Sequence, residues 1–320
     1  MEKDARIYVA GHTGLLGSAI VQRLKSLDYR NIILKTRNEL DLTDQSAVVS
    51  FFSAYRPEYV FLTAAKVGSI AANIKYPADF ITDNLKIAVN VISCARTFEV
   101  NKLIYFGSNC FYPNDRNRPL VEGDIMQGGL EPTNRAYAMA KLAGFEMCRA
   151  YNKQYGTKFI VAVPASMYGP NDCFDPDRSH VLASLISKFY QAKIQKIPSV
   201  SLWGDGSVWR ELIYVDDVAD ASIRIMEDYN LSSEEVQRGD IAVNIGTGTD
   251  HTVATIANFV KGIVGYEGEI KWDNSHPNGV ARKLLDSYRL NYVIGWYHKI
   301  GLKQGIQNTY QWYLENKGSS

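Results

Sequence analysis

Along the first half of the chain, short apolar runs alternate with longer stretches in which apolar residues recur every three to four positions. The short runs, at residues 6–10, 31–35, 59–65, 102–107 and 159–163, lack the in-out alternation of a half-solvated strand and read as strands buried on both faces. The periodic stretches between them, at 18–27, from 44 through 52, at 82–97 and around 137–141, read as helices, with Thr43 or Asp44 as the N-cap of the second. This alternation predicts an α/β fold of Rossmann type, a doubly wound parallel sheet over residues 1–170. Beyond 170 the pattern loosens. Residues 171–179 are polar, 181–192 helical, and 199–203 extended into the turn Gly204-Asp205-Gly206. A strand at 210–215, a helix at 216–228 capped by Asp216 or Asp217, and a buried strand and turn at 243–248 follow. The expectation is that 211–250 returns to the first domain. Residues 171–210 and 251–320 then form a smaller C-terminal lobe over the strand ends, where a substrate sits in such sheets.

Composition narrows the partners. With 320 residues, 46% hydrophobic and 22% charged, the chain can bury a large core. A formal net charge of +1 gives no general attraction to nucleic acid or to an anionic membrane, so any phosphate affinity must be local. No apolar run reaches transmembrane length, and the N-terminal residues enter a strand pattern without a signal-peptide core. Cys94, Cys110, Cys148 and Cys173 show neither a C-x-x-C spacing nor a metal-ligand pattern, so no metal is expected. Reduced thiols, mostly buried, in a cytoplasmic protein are expected instead.

Local chemistry is concentrated at the strand ends. The first strand runs into Gly11-His12-Thr13-Gly14-Leu15-Leu16-Gly17 and then a helix. Strand, glycine loop and helix form the dinucleotide arrangement: the glycines allow a tight turn and close approach of a pyrophosphate, and the helix N-terminus offers free N–H groups. At the end of the second strand stand Lys35 and Arg37, where an NAD site would place a carboxylate. That exchange favours the 2′-phosphate of NADP. Ala64 and Ala65, small residues ending the third strand, suit close packing on a bound cofactor. The fourth strand ends in Ser108-Asn109-Cys110. Tyr137-x-x-x-Lys141 places a phenol and an ammonium one helical turn apart, a pair suited to protonating a ketone oxygen as hydride reaches its carbon. The ammonium is expected to lower the phenol pKa. On its own this spacing is also common on solvated helices.

Taken together, these residues resemble the extended short-chain dehydrogenase/reductase family over nearly the whole chain. Within it, the chain is similar to the NADPH-dependent 3,5-epimerase/4-reductases of GDP-4-keto-6-deoxy-mannose. The resemblance is carried by the glycine loop, Ala64-Ala65-Lys66-Val67-Gly68, Gly107-Ser108-Asn109-Cys110-Phe111-Tyr112-Pro113 and Glu131-Pro132-Thr133-Asn134. Tyr137-x-x-x-Lys141, Ser179-His180, Asn244-Ile245-Gly246-Thr247-Gly248 and Arg282-Lys283-Leu284-Leu285-Asp286 extend it. It implies that Ser108, Tyr137 and Lys141 serve the reduction, and that Cys110 and His180 are the acid/base pair of epimerisation. Gly11 through Gly17, Arg37, Asp41, Leu42, Ala64, Ala65, Lys66, Lys141, Pro164, Met167 and His180 are implied in binding NADP(H). Lys188, Trp203, Arg210, Asn278 and Lys283 are implied in binding a GDP-linked 4-keto sugar, and a homodimer built on the helices near 82–97 and 138–151 is implied as well.

The chain departs from the family pattern in four places. Thr13 and Lys188 stand where arginine is common, Ser166 where asparagine is, and Asn278 where aspartate is. Two other readings stay open: a C4 reductase of a related 4-keto sugar such as a 6-deoxy-heptose, and a non-catalytic NADP(H)-binding redox regulator. A 4,6-dehydratase would need an Asp-Glu pair where Asn109-Cys110 stands.

Overall fold

A computed structural model describes residues 1–175, 179–275 and 280–316. In chain order the strands are β1 (Ile7–Ala10), β2 (Ile32–Ile33), β3 (Tyr59–Leu62), β4 (Lys102–Phe106), β5 (Phe159–Pro164) and β6 (Ser166–Tyr168). They continue as β7 (Ser199–Trp203), β8 (Trp209–Tyr214), β9 (Ala242–Ile245), β10 (Asp250–Thr252), β11 (Glu269–Asp273) and β12 (Arg282–Lys283). The helices are α1 (Leu15–Ser26), α2 (Gln45–Tyr55), α3 (Ile70–Lys75), α4 (Pro77–Thr97) and α5 (Arg135–Tyr155). After them come α6 (Val181–Ile194), α7 (Val215–Asp228), α8 (Ser233–Arg238), α9 (Val253–Val264) and α10 (Leu302–Asn316).

The expected parallel sheet is present, in the order β2-β1-β3-β4-β5-β9 with every pair parallel. Its strand residues are almost all buried because helices cover both faces. The chain runs outward from β1 to β2, then back past β1 to β3, β4 and β5. Right-handed crossovers therefore put α1 on one face and α2, α4 and α5 on the other, with the switch point between β1 and β3. Helix α7 packs beside α1, where Arg23 pairs with Asp220 at 2.7 Å. Its C-terminal carbonyls are satisfied by the buried Lys102, whose Nζ donates to the carbonyls of Ile225 (2.8 Å), Met226 (2.9 Å) and Tyr229. Helix α5 approaches β4 closely because residue 144 is glycine: a Cβ there would stand 2.4 Å from the Tyr105 ring. That approach sets the depth at which Tyr137 and Lys141 are held.

A smaller sheet, β10-β8-β12 with β6 paired to β8, and the strand pair β11-β7 lie outside the large sheet. Together with α6, α9 and α10 they enclose a second apolar cluster that includes Leu185, Phe189, Leu212, Ile256 and Ile306. Of residues 211–250, β9 joins the large sheet and α7 packs beside α1, whereas β8 is the centre of the smaller sheet. Glu211 on β8 ties the two sheets together. Its buried carboxylate accepts the N–H groups of Thr247 (2.6 Å) and Gly248 (2.8 Å), just after β9, and of Leu285 (2.8 Å), just after β12. Burial pushes it up to about 7 against those three donors.

Several expectations are corrected at the element ends. Strand β2 is only Ile32–Ile33, and α1 starts at Leu15, so Gly17 is already helical. Helix α4 starts at Pro77, with proline in its first turn, where its missing N–H costs nothing. Asp44 rather than Thr43 caps α2, accepting from Ala47 N at 3.1 Å. Neither Asp216 nor Asp217 caps α7, whose N-cap is Tyr214. Asp217 instead receives the N–H groups of Lys299 (3.1 Å) and Ile300 (2.9 Å). Only Cys94 and Cys148 are buried; Cys110 is half-buried and Cys173 exposed. No described helix is long and apolar enough to cross a membrane.

Candidate active site

The glycine loop shapes one end of the site. Gly11 has φ +86°, and a Cβ on it would stand 2.8 Å from the Ala64 backbone. A Cβ on Gly17 would stand 2.2 Å from the Gly11 carbonyl oxygen, so the turn closes only with glycine at both positions. Gly14 is the N-cap of α1 and has no side chain to cap it, so the first-turn N–H groups are left for a ligand. His12 Nδ1 is buried with no hydrogen-bond partner among the described residues. A tight backbone cradle, free N–H donors and an orphaned imidazole nitrogen fit a dinucleotide diphosphate.

At the end of β2 the two cations part company. Lys35 is turned away, 3.7 Å from Glu39 and over the Tyr55 ring at 5.1 Å. Arg37 stays exposed, with only a loose contact to Asp41 at 3.9 Å. The N–H and hydroxyl of Thr43 hold Asp41 below the usual carboxylate range. Leu42 is buried and its carbonyl accepts from Asn90. Lys66 does not reach into the cleft as an unpaired cation: its ammonium lies 2.9 Å from Asp83 and 3.3 Å from Asp79. Asn84 clamps the Lys66 backbone from both sides. Ala65 is half-buried beside it, and Pro164 and Met167 lie at the end of β5 and in β6.

The reactive side chains meet where β4 ends. Ser108 Oγ accepts the Cys110 N–H at 3.2 Å, which starts the helical turn Asn109–Phe111. The same hydroxyl acts on the Tyr137 phenol, drawing its pKa down. Asn134 Nδ2 donates to Cys110 Sγ at 3.0 Å. Lys141 is buried, donates from Nζ to the Phe106 carbonyl at 2.8 Å, and lies over the Tyr105 ring at 4.8 Å. Four of the expected residues, Ser108, Cys110, Tyr137 and Lys141, thus sit around one strand end.

The expected electrostatics do not hold. Tyr137 is half-buried, and burial pushes the phenol up. Cys110 adds to that rise, and the opposing influence is the Ser108 hydroxyl, not the Lys141 ammonium. Burial pushes Lys141 itself down to about 7. The ammonium is spent on a backbone carbonyl, so desolvation decides both groups.

His180 is the N-cap of α6, in the second lobe, and no hydrogen bond joins it to Cys110 among the described residues. It keeps accessible surface, yet surrounding protein holds its imidazole below the usual value. Lys188, on the same helix, lines a cleft of about 360 Å³ with Ser184, Gln191, Ile197 and Val200, and burial lowers its pKa. Trp203 is exposed at the end of β7. Arg210 donates to the carbonyls of Trp209 (2.7 Å) and Val280 (2.8 Å), and burial lowers it against the pull of Glu131. Lys283 reaches across from β12 to the Asn109 carbonyl at 3.3 Å, touching the turn that carries Cys110. Asn278 lies outside the described residues. Asn134 was not anticipated as a site residue, although it lies within the Glu131-Pro132-Thr133-Asn134 motif three positions before Tyr137.

The model of the NAD dependent epimerase/dehydratase family matches residues 7–246. The chain is 47% identical to GDP-L-fucose synthase 1 of Arabidopsis thaliana, covering 98% of this chain and 95% of that protein. It is 45% identical to GDP-L-fucose synthase of Escherichia coli K12, covering 98% and 97%. Among solved structures it is similar to a GDP-6-OMe-4-keto-L-xylo-heptose reductase from C. jejuni, at 38% identity with a TM-score of 0.93 over 99% of both chains. It is also similar to a GDP-L-fucose synthetase from Naegleria fowleri bound to NADP, at 26% identity with a TM-score of 0.90, covering 100% of this chain and 97% of that one. On the matched residues and these identities, the chain belongs to the NAD dependent epimerase/dehydratase family, within the extended short-chain dehydrogenases/reductases.

Proposed function

We propose that this chain is an NADPH-dependent enzyme that converts GDP-4-keto-6-deoxy-D-mannose to GDP-L-fucose, inverting C3 and C5 and then reducing C4. The observation that carries this reading is the gathering of a hydroxyl, a phenol and a thiol at one strand end: Ser108 Oγ accepts the Cys110 N–H, and both Ser108 and Cys110 act on the Tyr137 phenol. Full-length similarity to the two GDP-L-fucose synthases supports the substrate.

A ketone at C4 acidifies the hydrogens on both neighbouring carbons, because either carbanion is an enolate with its charge on O4. The Ser108 and Tyr137 hydroxyls stabilise that oxygen. Cys110 and His180 act as the pair that removes the proton from carbon on one face and returns one on the other. When bound, the nicotinamide supplies hydride to C4. Tyr137 then gives its proton to the resulting alkoxide, and Lys141 orients the ribose next to it.

Gly11 to Gly17 would hold the cofactor diphosphate, and Arg37, Asp41 and Leu42 its adenosine end. Ala64, Ala65, Lys66, Pro164, Met167 and His180 would line the nicotinamide side. Residues 171–210 and 251–320 form the substrate lobe in this reading, with Lys188, Trp203, Arg210 and Lys283 toward the GDP. Four unpaired cysteines support a cytoplasmic setting.

The test is NADPH oxidation with a panel of GDP-4-keto sugars. The 6-deoxy-mannose derivative is expected to turn over fastest, and NADPH to be used in preference to NADH because Arg37 is exposed and held only loosely by Asp41, so it can meet a 2′-phosphate. Equal use of NADH would refute the assignment of Arg37. The structural similarity to the heptose reductase favours one second reading, a C4 reductase of a GDP-linked 4-keto heptose. Turnover confined to the heptose would establish that one instead.

We also infer a homodimer formed by α4 and α5. These two helices pack on each other and leave Val89, Met139 and Tyr155 exposed. Light scattering at micromolar concentration is expected to give twice the chain mass, and a monomer would reject the inference.

A further inference from the structure

We propose that Asn134 is a positioning residue that holds the Cys110 sulfur, and that it does so in place of capping its own helix. The proposal rests on the reading of Cys110 as an acid/base of the epimerisation. Asn134 is the N-cap of α5, with φ −126° and ψ 18°. Asparagine is among the best residues there, because its side-chain oxygen can accept a first-turn N–H. The Asp, Ser and Thr N-caps of the other α-helices do so: Asp44 accepts from Ala47, Ser69 from Ala72, Ser232 from Glu235 and Thr252 from Thr255. Asn134 makes no side-chain cap bond. Its Nδ2 instead donates to Cys110 Sγ at 3.0 Å, and its Oδ1 is buried with no partner among the described residues. Asn134, the last residue of the helical turn Pro132–Asn134 that runs into α5, therefore makes no side-chain cap and leaves a buried acceptor unpaired, which costs stability. What it gains is a single contact to a sulfur. Local rules broken together in this way mark a functional constraint.

The other side of the thiol completes the arrangement. Cys110 Sγ faces Asn109 Oδ1 at 3.8 Å, on the residue next to it in sequence. An acid/base residue must be supported in both of its states. Asn109 offers an acceptor to the S–H of the thiol. Asn134 offers a donor to the lone pairs of the thiolate, where a hydrogen bond to charge counts for more.

The experiment is alkylation of Cys110 by iodoacetamide across pH, read peptide by peptide in the full chain without substrate, for the wild type, Asn134→Ser and Asn134→Asp. Both replacements are good N-caps. If Asn134 were only structural, the melting temperature would hold or rise and alkylation would not change. The proposal expects the melting temperature to hold or rise while the onset of Cys110 alkylation moves to higher pH, more so for the aspartate. At neutral pH the rate should fall about tenfold or more, the size expected for losing one hydrogen bond to a charged group. The exposed Cys173 is the internal reference. Unchanged Cys110 alkylation in both variants would overturn the proposal. Deuterium uptake at C3 and C5 of the keto sugar is measured in the same proteins and should fall in parallel. If alkylation slows but wild-type uptake is absent, the sulfur–amide contact stands and the epimerase reading of Cys110 falls.

Discussion

Tyr137→Phe is expected to slow NADPH oxidation on the 4-keto sugar by about 10²–10⁴-fold, the usual worth of a positioned general acid. Exchange at C3 and C5 should persist at a reduced rate, because the Ser108 hydroxyl still stabilises the enolate oxygen. The expectation follows from the state of the phenol. Reduction ends with a proton on O4, so the reagent required is the protonated phenol, and burial raises the Tyr137 pKa and keeps it protonated. As hydride arrives, O4 changes from a carbonyl oxygen to an alkoxide, a far stronger base than phenolate. The proton then moves downhill even from a phenol of raised pKa. A lysine that lowered the tyrosine pKa would help the reverse, oxidising direction more than this one. Phenylalanine keeps the ring that meets Phe80 edge-on at 6.5 Å, so the fold should survive. NADPH absorbance gives the rate, and thermal unfolding checks the fold. Wild-type oxidation by the variant would remove Tyr137 from the chemistry and leave Ser108 as the donor at O4.

Much of the large sheet was legible because its strands are continuous apolar runs and its helices carry a clear period. The glycine loop was legible for a steric reason: Gly11 and Gly17 sit where no Cβ fits, and such positions constrain the sequence directly. What was not legible depends on contacts between distant segments. Whether Lys35 or Arg37 is free is decided by Tyr55 and Glu39, which occupy Lys35. Asp217 reads as an N-cap in the sequence, yet its carboxylate meets the backbone of Lys299 and Ile300. A spacing of four places Tyr137 and Lys141 on one helical face, but it does not say where the ammonium ends up. The Phe106 carbonyl takes it, and desolvation then acts on both groups unopposed by their pairing. The same limit hid Asn134, because an asparagine before a helix reads as a cap until its amide is found on a sulfur.

Cys110→Ser is expected to stop proton exchange at carbon, again by about 10²–10⁴-fold. Serine is close to cysteine in size, and the backbone N–H of residue 110 can still bond Ser108, so the turn Asn109–Phe111 should keep its shape. What changes is acidity. A thiol is by its chemistry a readily ionised acid whose thiolate can take a proton from carbon. A serine hydroxyl is a far weaker acid, and Asn134 alone cannot supply the difference. Incubation with the keto sugar in D₂O, with deuterium at C3 and C5 followed separately from NADPH consumption, reads the two chemistries independently. Tyr137→Phe and Cys110→Ser should then give opposite patterns in one assay, exchange without reduction in the first and loss of exchange in the second. If Cys110→Ser still washes deuterium into both carbons at the wild-type rate, Cys110 is a packed thiol, His180 has no partner there, and the site is that of a C4 reductase.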